Sequence, residues 1–167
     1  LYRSALDGKS DAERISPPGQ PGTHEYEISP NADYAFHLFS NYYTPQVMEW
    51  IMLPGHKGIG GQNRVADALL RADKASSDVE FITIRTNAGV EMDAWMQKPK
   101  GFDKSKKYPV VFFVYTEPWG QEVRDIYGVN NNYLYTGDMA EDGYLYICID
   151  NRGTPVPKGR EWRKSIY

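Results

Sequence analysis

Tyr108-Pro109-Val110-Val111-Phe112-Phe113-Val114-Tyr115 is an unbroken apolar run, set between the lysine-rich approach Lys104 to Lys107 and the polar exit Thr116-Glu117-Pro118. It is too short for a core helix, is rich in β-branched and aromatic residues, and does not alternate with polar residues. That combination predicts a strand buried on both faces, as in a parallel sheet covered on both sides. A second such run is Tyr144-Leu145-Tyr146-Ile147-Cys148-Ile149-Asp150. Between them, residues 131–142 place Tyr133, Leu134, Met139 and Ala140 at rough helical spacing ahead of Gly143, which predicts a helix. Strand, helix and strand in that order open a mixed α/β sheet.

Immediately upstream, residues 79–85 (Val-Glu-Phe-Ile-Thr-Ile-Arg) alternate as a half-buried strand, Asn87-Ala88-Gly89 turns the chain, and residues 90–97 return antiparallel. Further back, residues 65–74 are rich in Ala and Leu and predict a helix. The glycine-rich link Pro54-Gly55-His56-Lys57-Gly58-Ile59-Gly60-Gly61 before it marks a domain boundary. The first sixty or so residues instead read as short strands with turn punctuation. Residues 1–6 and 12–16 form a hairpin about Asp7-Gly8, and Pro17-Pro18-Gly19 with Pro21-Gly22 stops regular structure. Residues 26–29, 34–40 and 46–53 are further strands, the first two joined by the turn Pro30-Asn31-Ala32-Asp33. Evenly spaced strands of this kind make a propeller blade or a small antiparallel sheet, which needs a partner to bury its apolar face.

Composition narrows the function classes. The 167 residues carry 19 Lys+Arg against 22 Asp+Glu, a net charge of −3, so there is no basic surplus to bind a phosphate backbone and no nucleic-acid partner is expected. A single cysteine excludes an internal disulfide and a cysteine-built zinc site. No apolar run is long enough for a bilayer span, and no basic start with an apolar stretch marks a signal peptide. The chain opens on Leu1 inside a predicted strand, which reads as a piece of something longer.

Most chemical motifs fail on inspection. Gly8-Lys9-Ser10 matches the end of a phosphate-binding loop, but Arg3 stands where that loop needs glycine and no helix follows. Gly58-Ile59-Gly60-Gly61 lacks the third glycine of a dinucleotide fingerprint. His24, His37 and His56 are widely spaced with no His-x-x-x-His pair, so they read as structural or solvent-facing, and neither metal nor cofactor is expected. Cys148, flanked by Ile147 and Ile149, reads as core. Gly-x-Ser-x-Gly, the nucleophile elbow of an α/β-hydrolase, does not occur. What remains are the carboxyl ends of the two buried strands, Tyr115-Thr116-Glu117-Pro118-Trp119 and Asp150-Asn151-Arg152-Gly153-Thr154, where α/β proteins place function.

Those two strand ends resemble the start of the catalytic domain in the prolyl oligopeptidase clan of serine peptidases, and within it the dipeptidyl peptidase IV branch. The segment Ile28-Ser29-Pro30-Asn31-Ala32-Asp33-Tyr34-Ala35 is similar to the Ser-Pro-Asp-Gly turns of that family's β-propeller blades. The resemblance implies a mixed α/β fold with an all-β portion: residues 1–60 closing a β-propeller, and residues 61–167 beginning an α/β-hydrolase domain. It implies that Tyr115 donates its hydroxyl to the oxyanion hole, and that Arg152 holds loops through hydrogen bonds. It further implies a parent that removes N-terminal X-Pro or X-Ala dipeptides from a peptide substrate through a serine acyl-enzyme, as an exported or periplasmic homodimer without a cofactor. The triad serine, aspartate and histidine would follow Tyr167, and the acidic pair that grips the substrate amino terminus would precede Leu1, so this chain alone is expected to be inactive.

One departure stands out. Thr116-Glu117 replaces the two small residues that family members carry between this tyrosine and proline, placing a carboxylate beside the oxyanion donor. Two other readings compete. One is a noncatalytic β-rich module that binds a peptide or glycan through Tyr42, Tyr43 and Trp50; the other is an acyl esterase, which the propeller-like half argues against.

Overall fold

A computed structural model describes residues 1–72, 79–115 and 117–165. The chain divides into two compact units, Leu1–Lys74 with Asp125–Tyr127, and Ala75–Arg124 with Gly128–Tyr167. Most of the regular structure is strand.

In the first unit, β1 (Tyr2–Arg3) and β2 (Glu13–Arg14) pair antiparallel, as the Asp7-Gly8 hairpin predicts. The main sheet is a four-stranded antiparallel meander of β3 (Thr23–Ile28), β4 (Tyr34–Asn41), β5 (Thr44–Met52) and β6 (Lys57–Gly58). Its first turn is the expected one, with Ala32 N–H donating to the Ser29 carbonyl (2.8 Å). Ala32 there takes the left-handed φ of 56° that glycine would adopt without strain. Strand alternation puts Ala35, His37, Phe39 and Asn41 of β4 on one buried face, together with Glu49 and Ile51 of β5. Helix α1 (Arg64–Arg71) belongs to this unit, although it lies beyond the glycine link. Val65 is fully buried and the Arg64 backbone N–H donates to Glu49 Oε2 (3.1 Å), so the link returns the chain onto β5. Gly58 is required on that path: a Cβ there would lie 1.8 Å from the Gln62 carbonyl oxygen. Residues 73 and 74, the end of the predicted helix, lie outside the described residues.

The second unit holds a mixed sheet ordered β7-β8-β10-β9, formed by β7 (Val79–Arg85), β8 (Glu91–Gln97), β9 (Val110–Phe113) and β10 (Leu145–Ile149). β7 and β8 are the predicted hairpin, closed by Thr86 and Val90. β10 runs antiparallel to β8 and parallel to β9. Trp95, Tyr146 and Cys148 are buried; the Trp95 and Tyr146 rings meet edge to face at 5.0 Å. Truncating Trp95 to Ala should cost about 3–5 kcal/mol. A short helix, α2 (Gly159–Lys164), buries Trp162, whose indole N–H donates to Thr154 Oγ1.

Two expectations are corrected. β9 is an edge strand, and it is not buried on both faces: Val110 and Phe112 are exposed, as is Val114 just beyond. The same face is only half covered on β10, at Leu145, Ile147 and Ile149, while Tyr146 and Cys148 on the opposite face are buried. Residues 131–142 form turns and no helix. Asn132 and Asp138 draw nearby backbone N–H groups (Leu134, Ala140 and Glu141) to their side chains, the competition with the helical ladder that such residues offer. One isolated turn, Asp142 N–H to the Asp138 carbonyl, ends at Gly143 (φ 83°).

Candidate functional site

The parallel pair β9–β10 points both strand ends the same way, so Tyr115 and Asp150 leave the sheet at its carboxyl edge, where the sequence places candidate chemistry. Tyr115 is exposed and donates its hydroxyl to Glu117 Oε2 (2.8 Å). This hydrogen bond, together with the charge of the same carboxylate, raises the phenol above its ordinary value, so the hydroxyl stays a donor. A Cβ on Gly120 would lie 2.2 Å from the Tyr115 ring, so the loop after the strand can wrap the ring only with glycine there. Thr116 lies outside the described residues. A cavity of about 350 Å³ adjoins this loop, lined by Trp119, Gly153, Arg160 and Arg163 among others.

Asp150, not Arg152, holds the neighbouring loop. Its two buried carboxylate oxygens accept from the backbone N–H groups of Glu122 (2.9 Å) and Val123 (3.2 Å). Burial pushes its carboxyl above the ordinary value, and these two donors only partly offset that. Arg152 is exposed, and no hydrogen bond or ion pair of its guanidinium to a described residue is present. Cys148 is fully buried with its thiol pushed up to about 12 by burial and then by Asp150, which fits the core role expected of it.

The first unit contains a cluster that sequence spacing did not reveal. Cross-strand register sets Tyr26 (β3), His37 (β4) and Glu49 (β5) in one row, and His24 and His56 close around them. His24 Nε2 faces the Gln20 carbonyl (2.8 Å), His24 Nδ1 faces His37 Nε2 (2.9 Å), and His37 Nδ1 faces Glu49 Oε1 (3.0 Å). Carbonyl and carboxylate only accept, so these three hydrogen bonds require three ring protons, one more than two neutral imidazoles carry. Burial holds the His24 ring below its ordinary value, so two neutral rings leave one of these three close approaches without a proton. Burial works to raise the Glu49 carboxyl, but the hydrogen bond and charge of His37 and the backbone at the start of α1 outweigh it, leaving it below its ordinary value. The Tyr26 hydroxyl lies 3.0 Å from His56 Nε2, and its phenol is pushed up to about 12 by burial and by Glu49.

Wide spacing along the chain hides this cluster because separation along the chain is not separation across a meander. The two hairpin turns fix partners whose numbers add to a constant, and Tyr26, His37 and Glu49 obey that rule. The aromatic residues proposed for a binding module do not form one surface. Tyr42 and Tyr43 sit at the β4–β5 turn with rings at 88°, whereas Trp50 lies further along β5 against Phe36. That separation is about 20 Å at the usual strand rise.

Comparison with known proteins bears on the whole chain, although no family model matches it. Dipeptidyl peptidase 4 from Trichophyton rubrum is 33% identical over 102 residues, covering 60% of this chain and 13% of that protein. A probable dipeptidyl-aminopeptidase B from Fusarium vanettenii is 26% identical over 171 residues, covering 99% of this chain and 18% of its own length. Among solved structures, Porphyromonas gingivalis dipeptidyl peptidase 4 superposes with a TM-score of 0.71 at 31% identity, covering 99% of this chain. The chain thus spans less than a quarter of each of these proteins. In sequence and in fold it is similar to a stretch of the dipeptidyl peptidase 4 and dipeptidyl-aminopeptidase B proteins.

Proposed function

We propose that this chain is the junction of a serine-type dipeptidyl peptidase. Residues 1–60 are the closing strands of its β-propeller, and residues 61–167 begin its α/β-hydrolase domain. The observation that carries this reading is the parallel pair β9–β10, with Tyr115 and the Asp150 loop at its carboxyl edge. The exposed apolar residues Val110, Phe112 and Val114 also support it, since a hydrolase sheet is covered on both faces and the similar proteins are far longer.

In this reading the parent releases N-terminal X-Pro or X-Ala dipeptides through an acyl-enzyme, using a serine, aspartate and histidine that this chain does not supply. Tyr115 donates its hydroxyl to the carbonyl oxygen as negative charge develops there, a role that suits a phenol held protonated at a strand end. Asp150 positions the 122–123 turn beside that strand end. The parent acts as an exported homodimer, and this chain alone has no peptidase activity. The test is hydrolysis of Gly-Pro and Ala-Ala chromogenic dipeptides by the intact protein. Tyr115→Phe should lower kcat by about 100-fold with little change in KM. Unchanged turnover removes Tyr115 from the reaction, and no turnover of either substrate by wild type removes the assignment.

A further inference from the structure

We propose that His37, Glu49 and His56 form a binding site for a divalent transition-metal ion of the zinc type. One ligand atom from each, a ring nitrogen from both histidines and a carboxylate oxygen, lies within 4.8 Å of the others. Two imidazoles and a carboxylate are a donor set that zinc takes with its fourth position open to water. His37 and Glu49 are almost fully buried, so the ligands are held by the sheet and are not left free on the surface.

Three further observations point the same way. First, two neutral rings cannot serve all three close approaches on the line from Gln20 to Glu49, and a cation between His37 and Glu49 removes that shortfall. With a metal between His37 Nδ1 and Glu49 Oε1, His37 Nε2–H donates to His24 Nδ1 and His24 Nε2–H donates to Gln20, and every remaining contact is satisfied by neutral rings. Two ligands of a tetrahedral zinc with bonds of about 2 Å stand about 3.4 Å apart, so the 3.0 Å gap needs to open only slightly. Second, the outer groups are already in place. Glu49 Oε2 accepts from the Arg64 N–H and leaves Oε1 toward His37, and the Tyr26 hydroxyl lies against His56. Such partners fix the orientation of metal ligands. Third, His56 is held at a left-handed φ of 49°, unusual for a residue with a Cβ, and its ring meets His37 edge to face at 4.9 Å. The turn leading into β6 is thus bent so that the third imidazole reaches the strands, and a bound ion would clip that turn to β4 and β5.

Because imidazole and carboxylate bind zinc only when deprotonated, affinity should fall as pH falls. The direct test is equilibrium dialysis of the chelator-stripped intact protein against zinc. Wild type should bind one ion more than His56→Ala, with the variant's affinity for that ion reduced roughly 100-fold. His56 lies on a turn outside β4 and β5, so its truncation leaves the sheet's own pairing untouched. A second measurement needs no variant: carbethoxylation of His56, read by peptide mapping of wild type, should slow several-fold on adding zinc. Equal zinc binding by wild type and His56→Ala, or His56 labelling that zinc does not change, overturns the proposal.

Discussion

Glu117 holds the hydroxyl proton of Tyr115, at 2.8 Å and only two residues away. If Tyr115 stabilises an oxyanion, this carboxylate competes for the same proton and adds negative charge where more must develop. Glu117→Ala should therefore raise kcat of the intact protein by several-fold on dipeptide substrates. In a Tyr115→Phe background the same change should have no effect, and a double-mutant cycle in steady-state kinetics checks this coupling. An equal gain in both backgrounds would show that Glu117 acts without Tyr115.

Asp150 gives a stability prediction with a definite sign. Its folded carboxyl titrates above the unfolded value, so the folded state binds the extra proton between the two. This contribution favours folding fully below the ordinary carboxylate value, and it is lost as pH rises through the raised folded value. Asp150→Asn should remove that part of the pH dependence. It should also cost about 1–3 kcal/mol, because an amide nitrogen then faces one of the two backbone donors, Glu122 or Val123. Urea titrations of both proteins across pH measure both effects.

The thiol of Cys148 should be inert in the folded protein. Fully buried and pushed up to about 12, it forms almost no thiolate at neutral pH. A thiol reagent should label it only when denaturant is added; labelling of the native protein at the rate of a free thiol would contradict its placement.

Ala32 occupies a turn position at φ 56°, where a Cβ is strained. Ala32→Gly relieves that strain while loosening the unfolded chain. The net expectation is a gain of about 0.5–1 kcal/mol, seen as a rise in Tm. A fall in Tm would mean that the side chain is needed in the turn.

The 167-residue chain expressed alone should bind a hydrophobic dye and self-associate, because Val110, Phe112 and Val114 are uncovered. It should not react with serine-directed phosphonate probes. A dye-silent monomer would show that this face needs no cover.

Much of this fold is written locally. The hairpin of β7 and β8 and the strands β4 and β5 follow from alternation and turn residues and appear where those signals put them, whereas β3 starts earlier, at Thr23, and β6 lies inside the glycine-rich link. The errors arise where the deciding information is not local. An apolar run such as Val110–Phe113 reports that its faces must be covered, but not whether the covering segment lies within the chain. The 131–142 segment had the apolar spacing of a helix, but its Asn and Asp side chains claimed the backbone donors first. Tyr115 stands out through the family resemblance of its strand end and Glu117 through its departure from that family's small residues, while the hydrogen bond between them is visible only in the structure. The histidine cluster required pairing register, which no single strand contains.

The order β7-β8-β10-β9 has a consequence for how the protein is made. β9 pairs with no described strand except β10, and residues 114–144 separate the two. At ordinary synthesis rates of 5–20 residues per second, β9 emerges roughly 2–6 s before the strand that completes it. During that interval Val110-Val111-Phe112-Phe113 is an unpaired apolar strand, open to any edge it meets. The lysines at 104, 106 and 107, just ahead of it, then act as a guard: their charge discourages neighbouring nascent chains from stacking on this strand before β10 arrives.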